Sequence, residues 1–298
     1  MRKPPGVKLS IIILSHNTEK LLEQCLESLP KRDDYQVIVI DNASTDGSVA
    51  MVEEKFPWAK LVKNTTNLGY TKGNNGAQKL AFGEYVLFLN SDTKVYKNTL
   101  ETMVAFMDSH PDTGVSTCLT ELPDGTLYYA CHRGFPTPWN SLAYFSGLAK
   151  VFPRWKIFAG YTATYLPIDK IHEIDACSGT FLFIRKKILD QIGWFDEDYF
   201  AYGEDIEMCF RVKELGYKIM FVPNAKIMHY WGASSGLKST SKEVAATDPK
   251  NQARWNEARY DAMRIFYDKH YRRKYPGFLR TLVLGGISLA NYLRRGRD

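Results

Sequence analysis

The first hundred residues alternate continuous apolar runs with segments whose apolar residues recur at helical spacing. The runs "VKLSIIIL", "QVIVI", "KLVKN" and "EYVLFL" are typical of buried strands. Three segments between them, "TEKLLEQCLESLP", "GSVAMVEEKF" and "GNNGAQKLAFG", are predicted helices, the last ending at Gly83. Strands that are apolar throughout and alternate with helices predict an α/β fold, with a parallel sheet covered by helices on both faces.

The second half of the chain is less regular. "ELPDGTLYY" predicts a hairpin that turns at residues 123–125, and "GTFLFIRKKILDQIGWF" predicts a strand followed by a short helix. "GEDIEMCFRVKELGYKIMFV" predicts a helix from about Glu204 that stops at Gly216 and leads into another strand. Residues 236–254 are largely polar and predict a mobile loop, and 255–298 predict a basic helical tail.

Polar residues follow each of the four predicted strands of the first half. Ser15, His16 and Asn17 follow the first strand, Asp41 the second, Asn64 the third, and the segment 90–92, Asn-Ser-Asp, the fourth. Turns alone favour such residues, so any one of these strand ends has a purely structural explanation. Four of four, two with a carboxylate, favour a ligand site, because open parallel sheets bind ligands beyond the carboxyl ends of their strands.

Three further stretches carry candidate chemistry. "NLGYTKGNNG" matches neither dinucleotide nor P-loop spacing, but its glycines allow close backbone approach to a phosphate beside Lys72. A buried Asp92 needs a positive partner, and with His229 it would favour Mn²⁺ over Mg²⁺ near a diphosphate. Glu204 and Asp205 begin a helix, where acids oppose the helix dipole, but a carboxylate is also the usual general base for a sugar hydroxyl.

The charge distribution and the cysteine content limit which binding partners and which cellular compartment we expect for the protein. The net charge is +6, and basic residues concentrate at 251–298 and at 126–168, a stretch with no acidic residue. Such zones suit an anionic membrane or nucleic acid, and no nucleic-acid recognition module is visible. Five scattered cysteines without a C-x-x-C pair give no zinc or redox motif and fit a reducing cytoplasm. The apolar run 281–293, 13 residues long, is shorter than the roughly 20 that a spanning helix needs.

Six stretches, in order, resemble glycosyltransferase family 2, and especially its rhamnosyltransferase-like bacterial branch. They are "SIIILSHN", "VIVIDNASTDGS", "NLGYTKGNNGA", "YVLFLNSDT", "CSGTFLFIRKKILDQIGWFDEDYFAYGEDIEMCFRVKELGYKI" and "HYWGASS". The resemblance implies an inverting hexosyltransferase with the GT-A fold, a Rossmann-like, mostly parallel sheet. The catalytic domain would be 1–235, with a nucleotide-sugar half at 1–95 and an acceptor half at 96–235.

The resemblance also implies roles for the donor and metal residues. Asp41 would contact the donor nucleoside, and Asp92, at the end of the family's D-x-D signature, would bind Mn²⁺ or Mg²⁺ together with His229. This chain has Asn90 at the first signature position, so the metal role is carried over to Asp92 alone. Asp205 would be the catalytic base of a single in-line displacement that inverts the anomeric centre. The further expected donor contacts are His16, Asn17, Lys72, Asn74 and Ser91.

Residues 136–167 are expected to form the acceptor side. Their many aromatic rings interleave with Lys150, Arg154 and Lys156, which would suit sugar faces and a lipid diphosphate; an ordinary aromatic core is the alternative. The expected acceptor contacts are Trp155, Arg154, Glu204 and Trp231. Rhamnose from dTDP-rhamnose is the first expectation for the donor, followed by UDP-hexoses, and a polyprenyl-diphosphate-linked glycan is the expected acceptor.

The tail and two competing functions complete the predictions. Basic clusters at 272–274 and 294–297 flank the short apolar run, which suits a helix lying on the inner face of the cell membrane. The alternative is packing on the domain or on a second subunit, as in a homodimer. A sugar-phosphate nucleotidyltransferase would need a glycine-rich basic signature after the first strand, which "LSHNTEKL" lacks. A non-catalytic nucleotide-sugar or lipid-binding protein would not need all of Asp41, Asp92, Asp205 and His229.

Overall fold

A computed structural model of the chain describes residues 6–231 and 249–295, with side chains described over 6–231 and 257–288. The strands are β1 (Leu9–Ser15), β2 (Tyr35–Asp41), β3 (Lys60–Lys63), β4 (Tyr85–Asn90), β5 (Thr93–Val95), β6 (Thr113–Glu121), β7 (His172–Ile174), β8 (Phe181–Arg185) and β9 (Lys218–His229). The helices are α1 (Glu19–Glu27), α2 (Ser48–Lys55), α3 (Gly69–Asn75), α4 (Thr99–Ser109), α5 (Pro138–Phe145), α6 (Leu148–Val151), α7 (Lys186–Ile192), α8 (Glu204–Glu214), α9 (Pro249–Phe266) and α10 (Gly277–Arg295).

One mixed sheet runs through the described chain in the order β3-β2-β1-β4-β8-β6-β9-β5, with β7 paired to β9. The first four strands are parallel, as the alternation of strands and helices predicted. The strand β8 is antiparallel to both β4 and β6, so the second half reverses direction where it joins the first. This junction brings the end of β4 next to the beginning of β8, and it is there that the polar residues gather.

Alternate residues of the strands pack into two apolar layers, one on each face of the sheet. Ile12, Ile38 and Phe88 belong to one layer, and Ile13 and Val39 to the other. All five are fully buried, which explains why these strands are apolar on both sides. The predicted two-sided cover of the sheet is therefore confirmed.

The helix predicted to end at Gly83 is shorter and earlier than expected. The helix α3 covers Gly69–Asn75, and turns follow it up to Leu80. Asn75 ends it by donating from its side chain to the Phe195 carbonyl and accepting from the Phe195 N–H. Two glycines within and just after the helix also weaken its continuation, since glycine is a poor helix former. The predicted turn at 123–125 is present, with a bridge between Glu121 and Leu127.

The C-terminal helices are in part a continuation of the core. A π-helical turn at Tyr267–Tyr271 follows α9, and the rings of Phe266 and Tyr271 pack on Phe210 of α8. Among the side chains described in α10, up to residue 288, Ile287 is buried, whereas the large apolar residues Phe278 and Leu282 are exposed. The described helices include none that is both long and apolar enough to cross a membrane. Most of the predicted mobile loop lies outside the described residues, and its end, from Pro249, is already helical.

Candidate active site

The loops after β1 and β2 are fastened to each other. The Asn17 side chain accepts a hydrogen bond from the Thr45 N–H at 2.7 Å, and the Asn17 N–H donates to the Ser44 hydroxyl at 3.0 Å. Asn17 itself has a positive φ of 53°, a conformation that asparagine tolerates better than most residues. These bonds place His16, Asn17 and Asp41 at one edge of the sheet, as the strand-end pattern predicted.

Asp41 is buried with half of its hydrogen-bonding capacity unused. Its Oδ2 accepts from the Ser44 N–H at 3.0 Å. Its Oδ1 is equally buried and has no hydrogen-bond partner among the described residues. Buried acceptors normally have partners, so this oxygen suits a ligand donor such as a ribose hydroxyl or a base N–H.

The glycine-rich segment is brought to the same edge by Asn42. Its Oδ1 accepts from the Leu68 N–H and from the Asn64 side chain, both at 3.1 Å, and its Nδ2 donates to Asn67 at 2.8 Å. Within α3, the predicted donor contact Asn74 is buried and its Nδ2 donates to the Tyr70 carbonyl at 2.9 Å.

Two other predicted donor contacts differ in their surroundings. Lys72 is exposed on α3. Ser91 is buried, and its hydroxyl accepts from Thr18 at 3.1 Å, while Thr18 in turn bonds to Ser15 at 2.9 Å. Ser91 therefore already joins the end of β4 to the end of β1, whereas the ammonium group of Lys72 lies in solvent.

Asp92 and His229 meet, although 137 positions apart in sequence order. The β5–β9 pairing sets Thr93 opposite His229, and the Tyr230 N–H donates to the Asp92 carbonyl at 2.9 Å. The Asp92 Oδ1 and the His229 Nε2 are consequently 3.2 Å apart, and both side chains are buried. One carboxylate oxygen and one imidazole nitrogen suit Mn²⁺ or Mg²⁺ with a diphosphate. No group of three such side chains is assembled in the described ranges, so the protein offers two ligands here.

Asp205 is held by a buried ion pair at the first turn of α8. The Arg133 Nη2 donates to its Oδ2 at 2.6 Å, and the Gly179 N–H donates to the same oxygen at 3.0 Å. The other oxygen accepts from the Ile206 N–H at 2.7 Å. Arg133 is fixed in turn by its bond to the Cys177 carbonyl at 3.0 Å. The orientation of the Asp205 carboxylate is thus set from three sides.

Glu204 is the neighbour of Asp205 but lies in a different environment. It is 6% exposed, and its Oε2 has no hydrogen-bond partner within the described part of the chain. Burial and the charge of Asp205 together raise the pKa of Glu204 to about 8, against smaller opposing effects of a backbone hydrogen bond and of Arg133. At neutral pH the predominant form of Glu204 is therefore the protonated acid.

Two tyrosines experience the charges of both carboxylate centres. Burial raises the pKa of Tyr128 to about 12, and the charges of Asp205 and Asp92 both contribute to the rise, while Arg133 opposes it. Burial likewise raises the pKa of Tyr70, which also experiences Glu204, Asp205 and Asp92. The structure therefore brings the two halves of the predicted site together.

Three of these residues were missed by the sequence interpretation: Tyr70, Tyr128 and Arg133. Arg133 was covered only as part of the basic, acid-free stretch 126–168, and that composition carries no information about its partner. The Gly179 N–H was missed as well, and a side chain there would be crowded, since an added Cβ would lie 2.9 Å from the Tyr70 hydroxyl. No local sequence motif marks a basic residue whose ion-pair partner lies far away in the sequence.

The predicted acceptor residues divide into two groups. Trp231 is 47% exposed and its ring lies 5.9 Å from that of Tyr128, which packs edge-on against His229 at 4.9 Å. Trp155 and Arg154 instead lie on an exposed surface, where the Trp155 ring packs on Phe152. Trp231 thus borders the Asp92–His229 pair through Tyr128, whereas the ring contacts of Trp155 are with Phe152 and Phe158 of its own segment.

Comparison with known proteins agrees with this geometry. The sequence profile of glycosyl transferase family 2 matches residues 10–193. The chain belongs to this family. It is 26% identical over 250 residues to the N-acetylglucosaminyl-diphospho-decaprenol L-rhamnosyltransferase of Mycobacterium tuberculosis H37Rv, covering 80% of each chain. It is also 26% identical over 239 residues to the rhamnosyltransferase WbbL of Escherichia coli K12, covering 74% of this chain and 82% of that one.

A solved structure shares the fold. The mannosyltransferase PcManGT of Pyrobaculum calidifontis, in complex with GDP-Man and Mn²⁺, superposes with a TM-score of 0.58 at 19% identity, covering 95% of this chain and 70% of that one. The predicted GT-A fold is confirmed, as is the resemblance to the rhamnosyltransferase-like branch of family 2. The protein is an inverting glycosyltransferase, and the nucleotidyltransferase alternative is set aside.

Proposed function

We propose that this family 2 glycosyltransferase moves a sugar, first of all rhamnose from dTDP-rhamnose, to a hydroxyl of a polyprenyl-diphosphate-linked glycan. UDP-hexoses are the next donors to test. Both relatives are rhamnosyltransferases, which supports a rhamnosyl donor, and the diphospho-decaprenol acceptor of the mycobacterial relative supports a lipid-diphosphate acceptor. The observation that carries the proposal is the Asp205 carboxylate held by Arg133 and the Gly179 N–H, in a site where Tyr70 and Tyr128 experience the charges of both Asp205 and Asp92.

Asp205 is proposed as the catalytic base. Its carboxylate accepts the proton of the acceptor hydroxyl while that oxygen forms a bond to the anomeric carbon. The bond from this carbon to the diphosphate oxygen breaks on the opposite face, and the configuration inverts. Arg133 and the Gly179 N–H hold the carboxylate in position, so little reorganisation is needed when the hydroxyl approaches.

The donor is proposed to bind along the strand ends of residues 1–95, with its nucleoside at Asp41. The unpartnered Oδ1 of Asp41 accepts from the nucleoside, and Lys72, exposed on α3, would reach toward the diphosphate. Asp92 and His229 would hold Mn²⁺ or Mg²⁺, which supplies positive charge to the diphosphate. Residues 96–235 provide the acceptor side, with Glu204 and Trp231 bordering the acceptor.

A lipid-linked acceptor implies a location at the inner face of the cell membrane. The basic residues at 272–274 are exposed, as are Phe278 and Leu282 on α10. These groups are proposed to contact anionic headgroups and the acyl boundary. The buried contacts of Tyr271 and Ile287 restrict this contact to one side of the tail.

The proposal is tested with a panel of nucleotide sugars, measuring release of the nucleoside diphosphate with and without Mn²⁺. A polyprenyl-diphosphate glycan and a glycan without the lipid serve as acceptors. We expect turnover to need the lipid-linked acceptor and to be fastest with dTDP-rhamnose. Equal turnover without any acceptor, or with all donors, would contradict the proposed specificity.

A further inference from the structure

Residues 138–158 expose an unusual concentration of apolar side chains. Seven of the sixteen exposed large hydrophobic residues in the described chain lie in this stretch. Six of them, each between 45% and 69% exposed, define what we call the aromatic–basic surface: Trp139, Leu142, Phe145, Val151, Trp155 and Ile157. Single exposed apolar residues are common, but a contiguous group of this kind marks an interaction site.

The aromatic–basic surface is a built structure. Thr137 caps α5 by accepting from the Asn140 N–H, and the Trp139 Nε1 donates to the Ile157 carbonyl at 2.6 Å. The Phe152 ring lies 5.6 Å from that of Trp155 and 5.1 Å from that of Phe158. These rings support one another outside the two core layers, so their outer faces are held toward solvent.

The charges on this surface all have one sign. Lys150, Arg154 and Lys156 are exposed, and none forms an ion pair with another described residue. No acidic residue occurs between 126 and 168. Basic groups beside exposed tryptophans suit the headgroup region of an anionic bilayer, where rings enter the boundary and long basic side chains reach phosphates.

We propose that the aromatic–basic surface docks the protein on an anionic lipid bilayer. A second copy of the chain is the less suitable partner, because a symmetric contact would oppose three positive charges with three more and no acid to pair them. A bilayer supplies both an apolar phase and negative charge. Each of three basic residues near such a surface contributes about 1 kcal/mol, in addition to the burial of apolar area.

Docking by this surface would bring the active site close to a lipid-linked acceptor, and this part of the inference rests on the proposed function. The surface follows directly after Arg133, the partner of Asp205, and Phe135 packs on Phe210 of α8 at 5.1 Å. Phe266 of the tail packs on the same Phe210 ring at 5.6 Å. Docking would therefore bring the acceptor half to the membrane, next to the tail.

Tryptophan quenching tests insertion directly. Full-length protein is mixed with phosphatidylcholine vesicles, with or without phosphatidylglycerol, carrying bromine on the acyl chains. We expect quenching only with the anionic vesicles. The double variant Trp139→Phe/Trp155→Phe keeps the surface apolar but should lose most of the quenching. The control Trp58→Phe, at an exposed tryptophan outside the aromatic–basic surface, should keep it. Unchanged quenching in the double variant would overturn the proposal.

Sedimentation with the same vesicles tests how much the basic and apolar side chains of the surface contribute to membrane binding. Replacing Lys150, Arg154 and Lys156 by Gln should weaken binding by about 100-fold, from about 1 kcal/mol for each charge. Val151→Asp/Ile157→Asp should do the same, while the matched control Leu215→Asp, at an exposed leucine that ends α8, should bind like the parent protein. Near-ultraviolet circular dichroism checks that each variant folds.

Two outcomes would assign the surface differently. Normal binding in Val151→Asp/Ile157→Asp, with binding lost in Phe278→Asp/Leu282→Asp, would make the tail the sole anchor and refute the proposal. A dimer that these surface variants convert to monomer would make the surface a subunit contact and refute it as well. If the parent protein bound the vesicles but transferred no sugar to a lipid-linked acceptor, the proposed function would be contradicted while the docking stayed in place. The two failures are therefore distinguishable.

Discussion

Asp92 and Asp205 are buried carboxylates near the junction of β4 and β8, but their partners differ in kind. Asp205 pairs with Arg133, whose charge is permanent, at 2.6 Å. Asp92 lies 3.2 Å from His229, and an imidazole is charged only when protonated. The first centre is therefore compensated by the protein alone. The second combines an anionic oxygen with a nitrogen that can also bind a metal.

This difference teaches which centre is suited to which half of the reaction. A carboxylate fixed by a guanidinium and a backbone N–H is oriented before any ligand arrives, which suits a base acting on the acceptor. A carboxylate beside a neutral imidazole can share a divalent cation with an anionic donor. The predictions below test this division, beginning with the largest expected effect.

Replacing Asp205 by Asn should reduce turnover by about 10²–10⁴-fold, because the amide cannot accept the acceptor proton. Donor binding should change little, since the donor is bound at the other centre. Single-turnover assays measure the chemical step, and calorimetry with the donor measures binding. A variant that keeps more than half of its turnover would place the base elsewhere, with Glu204 as the next candidate.

Replacing Asp92 by Ala should weaken metal-dependent donor binding by about 100-fold or more, since even indirect partners of metal ligands contribute 10–100-fold. His229→Ala should be milder and should change the preference between Mn²⁺ and Mg²⁺. Donor titration across a series of metal concentrations measures both effects. Full activity in excess chelator would contradict the assignment of this centre.

Replacing Arg133 should damage the Asp205 centre without changing donor binding. Arg133→Gln leaves a buried carboxylate without its counter-charge, which costs about 3–5 kcal/mol of stability when a buried pair is broken. Turnover should also fall, because the Asp205 carboxylate loses the side-chain donor that positions it.

Arg133→Lys is the matched control because it retains the charge but not the planar fork. Its loss of stability should be smaller, and its turnover should fall only through poorer positioning. Chemical denaturation and single-turnover assays give the two measurements. Unchanged turnover in Arg133→Gln, with only a loss of stability, would show that Arg133 acts on stability alone.

Much of this arrangement could be predicted from local patterns, for a physical reason. The parallel strands were predictable because residues such as Ile12 and Ile13 are buried on opposite faces, which leaves a continuous apolar run. Asp92 could be singled out because an acid at the end of a buried run needs a positive partner. Asp205 could be singled out only as an acid at a helix start, and its role as a base came from the family resemblance.

The remainder depends on contacts between distant segments. The Arg133–Asp205 pair spans 72 positions, and neither residue's neighbours encode the other. Residues 136–167 were interpreted as an acceptor site because their rings and charges are visible in the sequence. The solvent exposure of these side chains is visible only in the structure. The early end of α3 depends on Asn75 binding Phe195, which is 120 positions away. Local propensity cannot determine contacts of this kind.

The smallest effect on turnover, and the sharpest test of the comparison, is expected at Glu204. Glutamine mimics the protonated acid, so Glu204→Gln should keep turnover at pH 7 within about threefold, unlike a substituted base. The folded-state pKa of Glu204, about 8, lies above its usual 4.5. Its contribution to stability is therefore fully present below pH 4.5 and is lost as pH rises toward 8.

Glutamine does not titrate, so Glu204→Gln should lose less stability than the parent protein between pH 5 and pH 8. Thermal unfolding across this range measures the difference, with Glu214→Gln, at an exposed position in the last turn of the same helix, as the control. If Glu204→Gln abolished transfer while Asp205→Asn spared it, the roles of the two carboxylates would be exchanged. Arg133 would then hold a structural carboxylate, and the protonated neighbour would have to ionise before it could act as the base.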